Sequence, residues 1–222
     1  MDFFATIVRF FEHGGHFMYP IAVVMVIGVA IAVERYLYLT LTRSRNRDLW
    51  QQIEPLLGQG NFRQAAQVAS ASESAVGQIL TYGLARVQGA KRRDDIEKAM
   101  EESLMGIVPR LEKRTHYLAT FANLATLLGL LGTVMGLIGA FSAVSTVNPA
   151  EKANLLSASI SEAMNCTAFG LLAAIIALIG FALLNGKTQQ LLDDINGATV
   201  QVMNLVVNNR SKINLQGVPQ AA

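Results

Sequence analysis

Apolar positions gather in three long stretches separated by polar ones. Residues 17–33 carry no charge, and after Glu34 and Arg35 the apolar character resumes to Leu41. Residues 117–150 are uncharged throughout, and 153–186 contain a single charged side chain, Glu162. Each stretch exceeds the roughly 20 residues that cross about 30 Å of hydrocarbon as a helix. The pattern predicts membrane spans at 17–41, 117–147 and 153–186. Asn148 and Pro149, followed by Glu151 and Lys152, place a short turn at 148–152, so the second and third spans form a helical hairpin. The first span is a poor signal peptide, because no basic segment precedes it and its apolar part is too long.

The segment 42–116 is polar but periodic in pieces. Leu49, Ile53 and Leu56, then Phe62, Ala65 and Ala69, then Ile79, Tyr82 and Val87 recur at helical spacing. Gly58, Gly60, Gly89 and the serines around 70–74 punctuate them. From Asp94, with Glu97 three residues on as in a capping box, Ile96, Met100, Ile107, Leu111 and Leu118 predict one long helix running into the second span, kinked at Pro109. In residues 1–16, Phe3, Phe4, Ile7, Val8 and Phe11 share a face. They read as an outward-facing interfacial helix or as a short lead into the first span. Residues 187–222 form a polar tail. The expected architecture is an all-α integral membrane protein with three transmembrane helices and long cytoplasmic helical extensions.

Composition supports lipid as the solvent: of 222 residues 52% are hydrophobic and only 15% charged, with a mean hydropathy of +0.36. The net charge of +2 gives no reason to expect a nucleic-acid partner. Charge position is more informative, since 12 of the 18 basic residues fall between Arg43 and Arg114. Basic loops stay in the cytoplasm. That rule puts 42–116 and the tail inside, and the amino terminus and the hairpin turn in the periplasm.

Helices associate in lipid through small residues that let backbones approach. One such stripe in the second span holds Ala119, Ala122, Thr126, Gly129, Thr133, Gly136, Ala140 and Ala143, and the third span has Ala163, Thr167, Gly170, Ala174 and Ala177. The stripes could pack an intrachain bundle. The sharper expectation is a homo-oligomer held by Ala122, Thr126, Gly129, Gly136, Ala140, Gly170 and Ala174, because three helices need fewer tight seams than these. A carboxylate inside a span is costly and seldom incidental, so Glu162 is a functional candidate against a headgroup-level alternative. The hydroxyls of Thr133 and Thr167 suit a hydrated path or an interhelical hydrogen bond.

Other motifs fail. Gly186, Lys187 and Thr188 resemble the end of a phosphate-binding loop, but the glycine required at 181 is Phe181. Glu12, His13 and His16 lack further ligands nearby, Lys91, Arg92 and Arg93 read as a solvated loop, and no nucleophile–base constellation is present. The lone Cys166 has no intrachain partner. No metal, cofactor or enzymatic activity is expected.

The run Val108-Pro109-Arg110-Leu111-Glu112, then Leu118-Ala119-Thr120, Ala122-Asn123 and Leu128-Gly129-Leu130-Leu131-Gly132-Thr133-Val134-Met135-Gly136, resembles the ExbB/TolQ/MotA proton-channel family. So does Glu162-Ala163-Met164 followed by Thr167-Ala168-Phe169-Gly170-Leu171. Three spans are similar to the ExbB/TolQ branch. The prolines often present in the family's second and third spans are missing here. The resemblance implies a stator-like subunit of a bacterial inner-membrane motor, a ring that is pentameric in the family. Such a ring surrounds a dimer of a single-span ExbD- or TolR-like partner, whose transmembrane Asp handles a proton or sodium ion. By the same resemblance Thr133, Glu162 and Thr167 match polar positions facing the ion path. A non-conducting membrane scaffold and a gliding or surface-motility stator are the alternatives.

Overall fold

The computed structural model describes residues 14–87, 93–145 and 148–208. Six helices account for the described elements: α1 (Met18–Gly58), α2 (Phe62–Ser70), α3 (Ala75–Val87), α4 (Arg93–Glu112), α5 (Thr115–Val144) and α6 (Pro149–Asn208). The expected interfacial helix at 1–16 falls almost wholly outside the described residues. So do Lys91 and Arg92 of the basic loop and the tail beyond 208.

The chain divides into two compact units, with boundaries after Arg35, Lys113 and Leu184. The first contains the described residues up to Arg35 together with Arg114–Leu184. Here the usual order of burial is inverted. Its core is built from Met18, Ile21, Ala122, Ala125, Cys166, Phe169, Ala173 and Ala174, most of them small. Large aliphatics lie on the outside: Leu127 is 61% exposed, Ile138 57% and Ile179 57%. A water-soluble unit would do the reverse. In lipid this arrangement is favourable, because exposed aliphatics meet hydrocarbon while small residues permit close backbone packing.

The second unit joins residues 36–113 to the described residues after Leu184. Leu49, Ile53 and Leu57 of α1, Ala65 and Ala69 of α2, and Val76, Ile79, Leu80 and Leu84 of α3 are buried. Also buried are the α4 face of Ile96, Met100, Ile107 and Leu111 and, on α6, Leu191, Ile195, Ala198 and Val202. Leu57, not Leu56, thus completes the α1 face, and Tyr82 is 64% exposed instead of sharing the α3 face. The α3 stripe runs through Val76, Ile79/Leu80 and Leu84, with Gly83 against Met100, and Tyr82 lies off that line. Asn61 caps α2, its Oδ1 accepting from the Gln64 N–H at 3.3 Å. Ser74 serves α3, its Oγ accepting from the Gly77 N–H at 3.0 Å.

Two expectations on helix limits change. No single helix runs from 94 into the second span: α4 ends at Glu112 and α5 begins at Thr115. Arg114 between them has φ +65°, the one non-glycine residue with positive φ among the described residues. Its Nη1 donates to both carboxylate oxygens of Glu34, at 2.8 and 3.0 Å. The interruption therefore lies at Arg114, and Pro109 stands within α4. Of the turn expected at 148–152, residues 149–152 are already helical, since Pro149 opens α6. Proline suits the first helical position, where its missing N–H and fixed φ cost nothing. Helix α6 then continues for 60 residues, well past the end of the apolar run.

Candidate ion pathway

Thr133, Glu162 and Thr167 all belong to the first unit, on the two helices of the α5–α6 hairpin. Their surroundings follow from how closely those helices approach. A methyl group added at Gly170 would stand 2.7 Å from the Ala125 carbonyl oxygen and 2.9 Å from the Gly129 Cα. One added at Gly136 would stand 3.0 Å from the Ala163 Cβ. Positions rise along α5 as they fall along α6, with Gly129 opposite Thr167 and Gly170, Gly132 opposite Cys166, and Gly136 opposite Ala163. This is an antiparallel seam made possible by glycine.

The seam sets the role of Thr167. Half-buried, it donates its hydroxyl to the Gly129 carbonyl at 2.8 Å, across from α6 to α5. The Gly129 carbonyl is reachable because neither backbone is held off by a side chain at Gly129 or Gly170. Thr133, also half-buried, turns its hydroxyl back to the Leu130 carbonyl at 2.7 Å, leaving its oxygen as an acceptor. Glu162 is exposed. Its carboxylate lies against Gly15, where a side chain would collide with Oε1. Gly15 has φ +73° and its carbonyl accepts from the Met18 N–H at 3.2 Å, so a tight turn ahead of α1 packs beside this carboxylate. Glycine is required there both for the backbone angle and for the space.

Of the seven residues expected to pack an oligomer, Ala122, Gly129, Ala140, Gly170 and Ala174 are buried within one chain, and Gly136 is half-buried against Ala163. Thr126 remains exposed, with its hydroxyl on the Ala122 carbonyl at 3.1 Å. The seam also includes Gly132 and Cys166, which the stripe left out. Gly132 follows Gly129 by three residues and belongs to the same glycine-rich motif, so spacing could have found it. At the far end of the unit the Glu34–Arg114 pair neutralises the acid that interrupts the first apolar stretch. Its residues are distant in sequence, and nothing in the composition signals it.

Three helices long and apolar enough to cross a bilayer, with small residues inward and large aliphatics outward, define an all-α, multi-pass integral membrane protein. Residues 71–196, more than half of the chain, match the MotA/TolQ/ExbB proton channel family, and the chain belongs to that family. The match takes in α5 and the part of α6 that bears Glu162 and Thr167. No individually curated protein matches the chain.

Proposed function

We propose that this chain is the ring-forming, stator-like subunit of an ion-driven motor in the bacterial inner membrane. Its ring surrounds a dimer of a single-span ExbD/TolR-like partner that carries the ion-binding Asp. The observation that carries the reading is the α5–α6 hairpin, which sets Thr133, Glu162 and Thr167 on two tightly joined helices inside the matched region. Neither apolar stretch of the hairpin holds an Asp, which fits a division of labour in which the partner binds the ion and this chain supplies a polar wall. The driving force suffices for mechanical work, since each elementary charge crossing 100 mV releases about 2.3 kcal/mol. The 12 basic residues between Arg43 and Arg114 favour a cytoplasmic 42–116 segment and carboxyl terminus and a periplasmic amino terminus.

The test is ion flux in liposomes containing this chain, the partner, or both. Proton or sodium flux that needs both proteins and falls with Glu162→Ala or Thr167→Ala supports the motor. A complete complex that passes no ion under an imposed potential refutes conduction and leaves a membrane scaffold.

A further inference from the structure

Glu162 is carried by α6, but nothing on α6 or α5 ties its carboxylate down: it makes no hydrogen bond or ion pair among the described residues. The nearest constraint comes from the chain just ahead of α1. That segment is docked into the α5–α6 seam. Met18 is fully buried in one cluster with Ala122, Ala125, Cys166 and Phe169. Phe17 reaches Gly132, where an added methyl would stand 3.2 Å from the Phe17 Cβ and would overlap the Cys166 Sγ. Gly14 is buried against the Met18 side chain, whose space a larger residue would take. Between Gly14 and these anchors, Gly15 turns the chain at φ +73°. The turn is thereby fixed on the hairpin, and Glu162, one helical turn from Cys166 on α6, meets it. A methyl at Gly15 would overlap Glu162 Oε1 and stand 3.0 Å from Cδ. Two things favour the carboxylate in this place: the bare glycine leaves it room, and the partial positive charge at the start of α1 attracts it.

We propose that Gly15 is a positioning residue for Glu162: the glycine turn ahead of the first span sets where the carboxylate stands in the ion path, an inference that rests on the reading of Glu162 as a path residue. The first span thus shares in the path, although the family match begins only at residue 71. A side chain at position 15 meets the far end of a flexible glutamate, whereas one at Gly170 meets backbone of α5. Relief at Gly15 therefore comes from the carboxylate swinging aside and not from helices parting. The complex survives, and its path loses the acid from its place.

The test uses the full-length chain in complex with its partner, reconstituted in liposomes, and reads two quantities. One is ion flux. The other is the carboxyl carbon resonance of Glu162 in solid-state magnetic resonance spectra, assigned by its loss in Glu162→Gln. Gly15→Ala should move that resonance and lower flux several-fold while the complex stays whole on native gels. Gly60→Ala places a side chain at a similar backbone angle, φ +78°, in the second unit, and should change neither. If Gly15→Ala yields no complex, Gly15→Asn carries the test, since asparagine accepts the left-handed angle more readily and still brings a Cβ. Loss of assembly in both variants shows that the helices give way instead of the carboxylate, and overturns the proposal. So does an unmoved resonance in an intact complex, a moved resonance with normal flux, or an equal loss of flux in Gly60→Ala; in each case the ion-path reading stands. Normal flux in an assembled Glu162→Ala complex overturns the place of Glu162 in the path itself.

Discussion

Replacing Gly170 by Ala should loosen the α5–α6 seam, and the same substitution at Gly139 should not. At Gly170 the new methyl would stand 2.7 Å from the Ala125 carbonyl oxygen and 2.9 Å from the Gly129 Cα, both backbone atoms that no rotamer change can move. Ordinary contact begins near 3.4 Å, so the helices must part by about 0.7 Å. Overpacking of this kind costs about 1–3 kcal/mol. At Gly139 nothing lies within 4 Å of the added methyl. Both substitutions gain the same helix propensity, about 1 kcal/mol, so that gain cancels when the two variants are compared. The remaining 1–3 kcal/mol is about 5- to 150-fold in the population of open seam. Cys166 provides the assay, since it is the only cysteine, is buried and packs against Gly132 in the same seam. Its maleimide labelling rate in native detergent micelles should rise by that factor in Gly170→Ala and stay level or fall in Gly139→Ala. Equal rates in the two variants would show that backbone proximity at Gly170 does not hold the hairpin closed.

Three further outcomes follow from the same geometry. Thr167→Val keeps the shape of the side chain and loses the bond to the Gly129 carbonyl, so Cys166 labelling should quicken by a few-fold. That corresponds to the roughly 0.6 kcal/mol typical of such bonds between membrane helices; Thr167→Ser should restore the wild-type rate, and no difference between Val and Ser would mean the hydroxyl does not tie the helices. In a Cys166→Ala background, a cysteine at Ser72 should be protected from an impermeant thiol reagent in spheroplasts while one at Asn148 is labelled, and the opposite pattern reverses the topology. Glu162→Ala should lower ion flux with the complex intact, and Glu162→Gln, which keeps the polar shape without the charge, should separate the two contributions; normal flux in an assembled Glu162→Ala complex leaves the residue as a headgroup-level anchor.

The membrane helices were legible because hydropathy and length are enough to identify a span, and Asn148-Pro149 marked the hairpin. What hydropathy could not show is where a helix stops once it leaves the apolar run. Beyond Lys187, Leu191, Ile195, Ala198, Val202 and Val206 continue the helical spacing and are buried, so α6 persists to Asn208. The break before α5 was hidden for the opposite reason. Lys113 and Arg114 bear no sign of a turn, and Leu111 and Leu118 keep their spacing across it. Arg114 adopts its left-handed conformation beside the carboxylate of Glu34, 80 residues away, a pairing that no local pattern contains. Thr133, Glu162 and Thr167 could be picked out by motif, but the partner of Thr167 could not. It depends on the register of α5 against α6, which only the mutual fit of Gly129 and Gly170 sets.

The same small residues serve equally well within a chain and between chains, which is why the stripe alone left both possibilities open. In the structure they lie in an intrachain seam, and that changes where a ring could find its affinity. The outer surface of the first unit is mostly large aliphatic, and such side chains gain little by leaving lipid for one another. Thr126 and Thr133 direct their hydroxyls to carbonyls of their own helix, so as donors they are already satisfied. In the proposed ring, directional contacts between copies would then come largely from groups outside the intrachain seam. The second unit offers exposed charges for this, among them Arg47, Glu101 and Glu102. A ring of this chain would draw its order from charged and hydrogen-bonding surfaces outside the apolar stretches, while the glycine seam keeps each hairpin rigid enough to hold Glu162 and Thr167 in place as neighbours move.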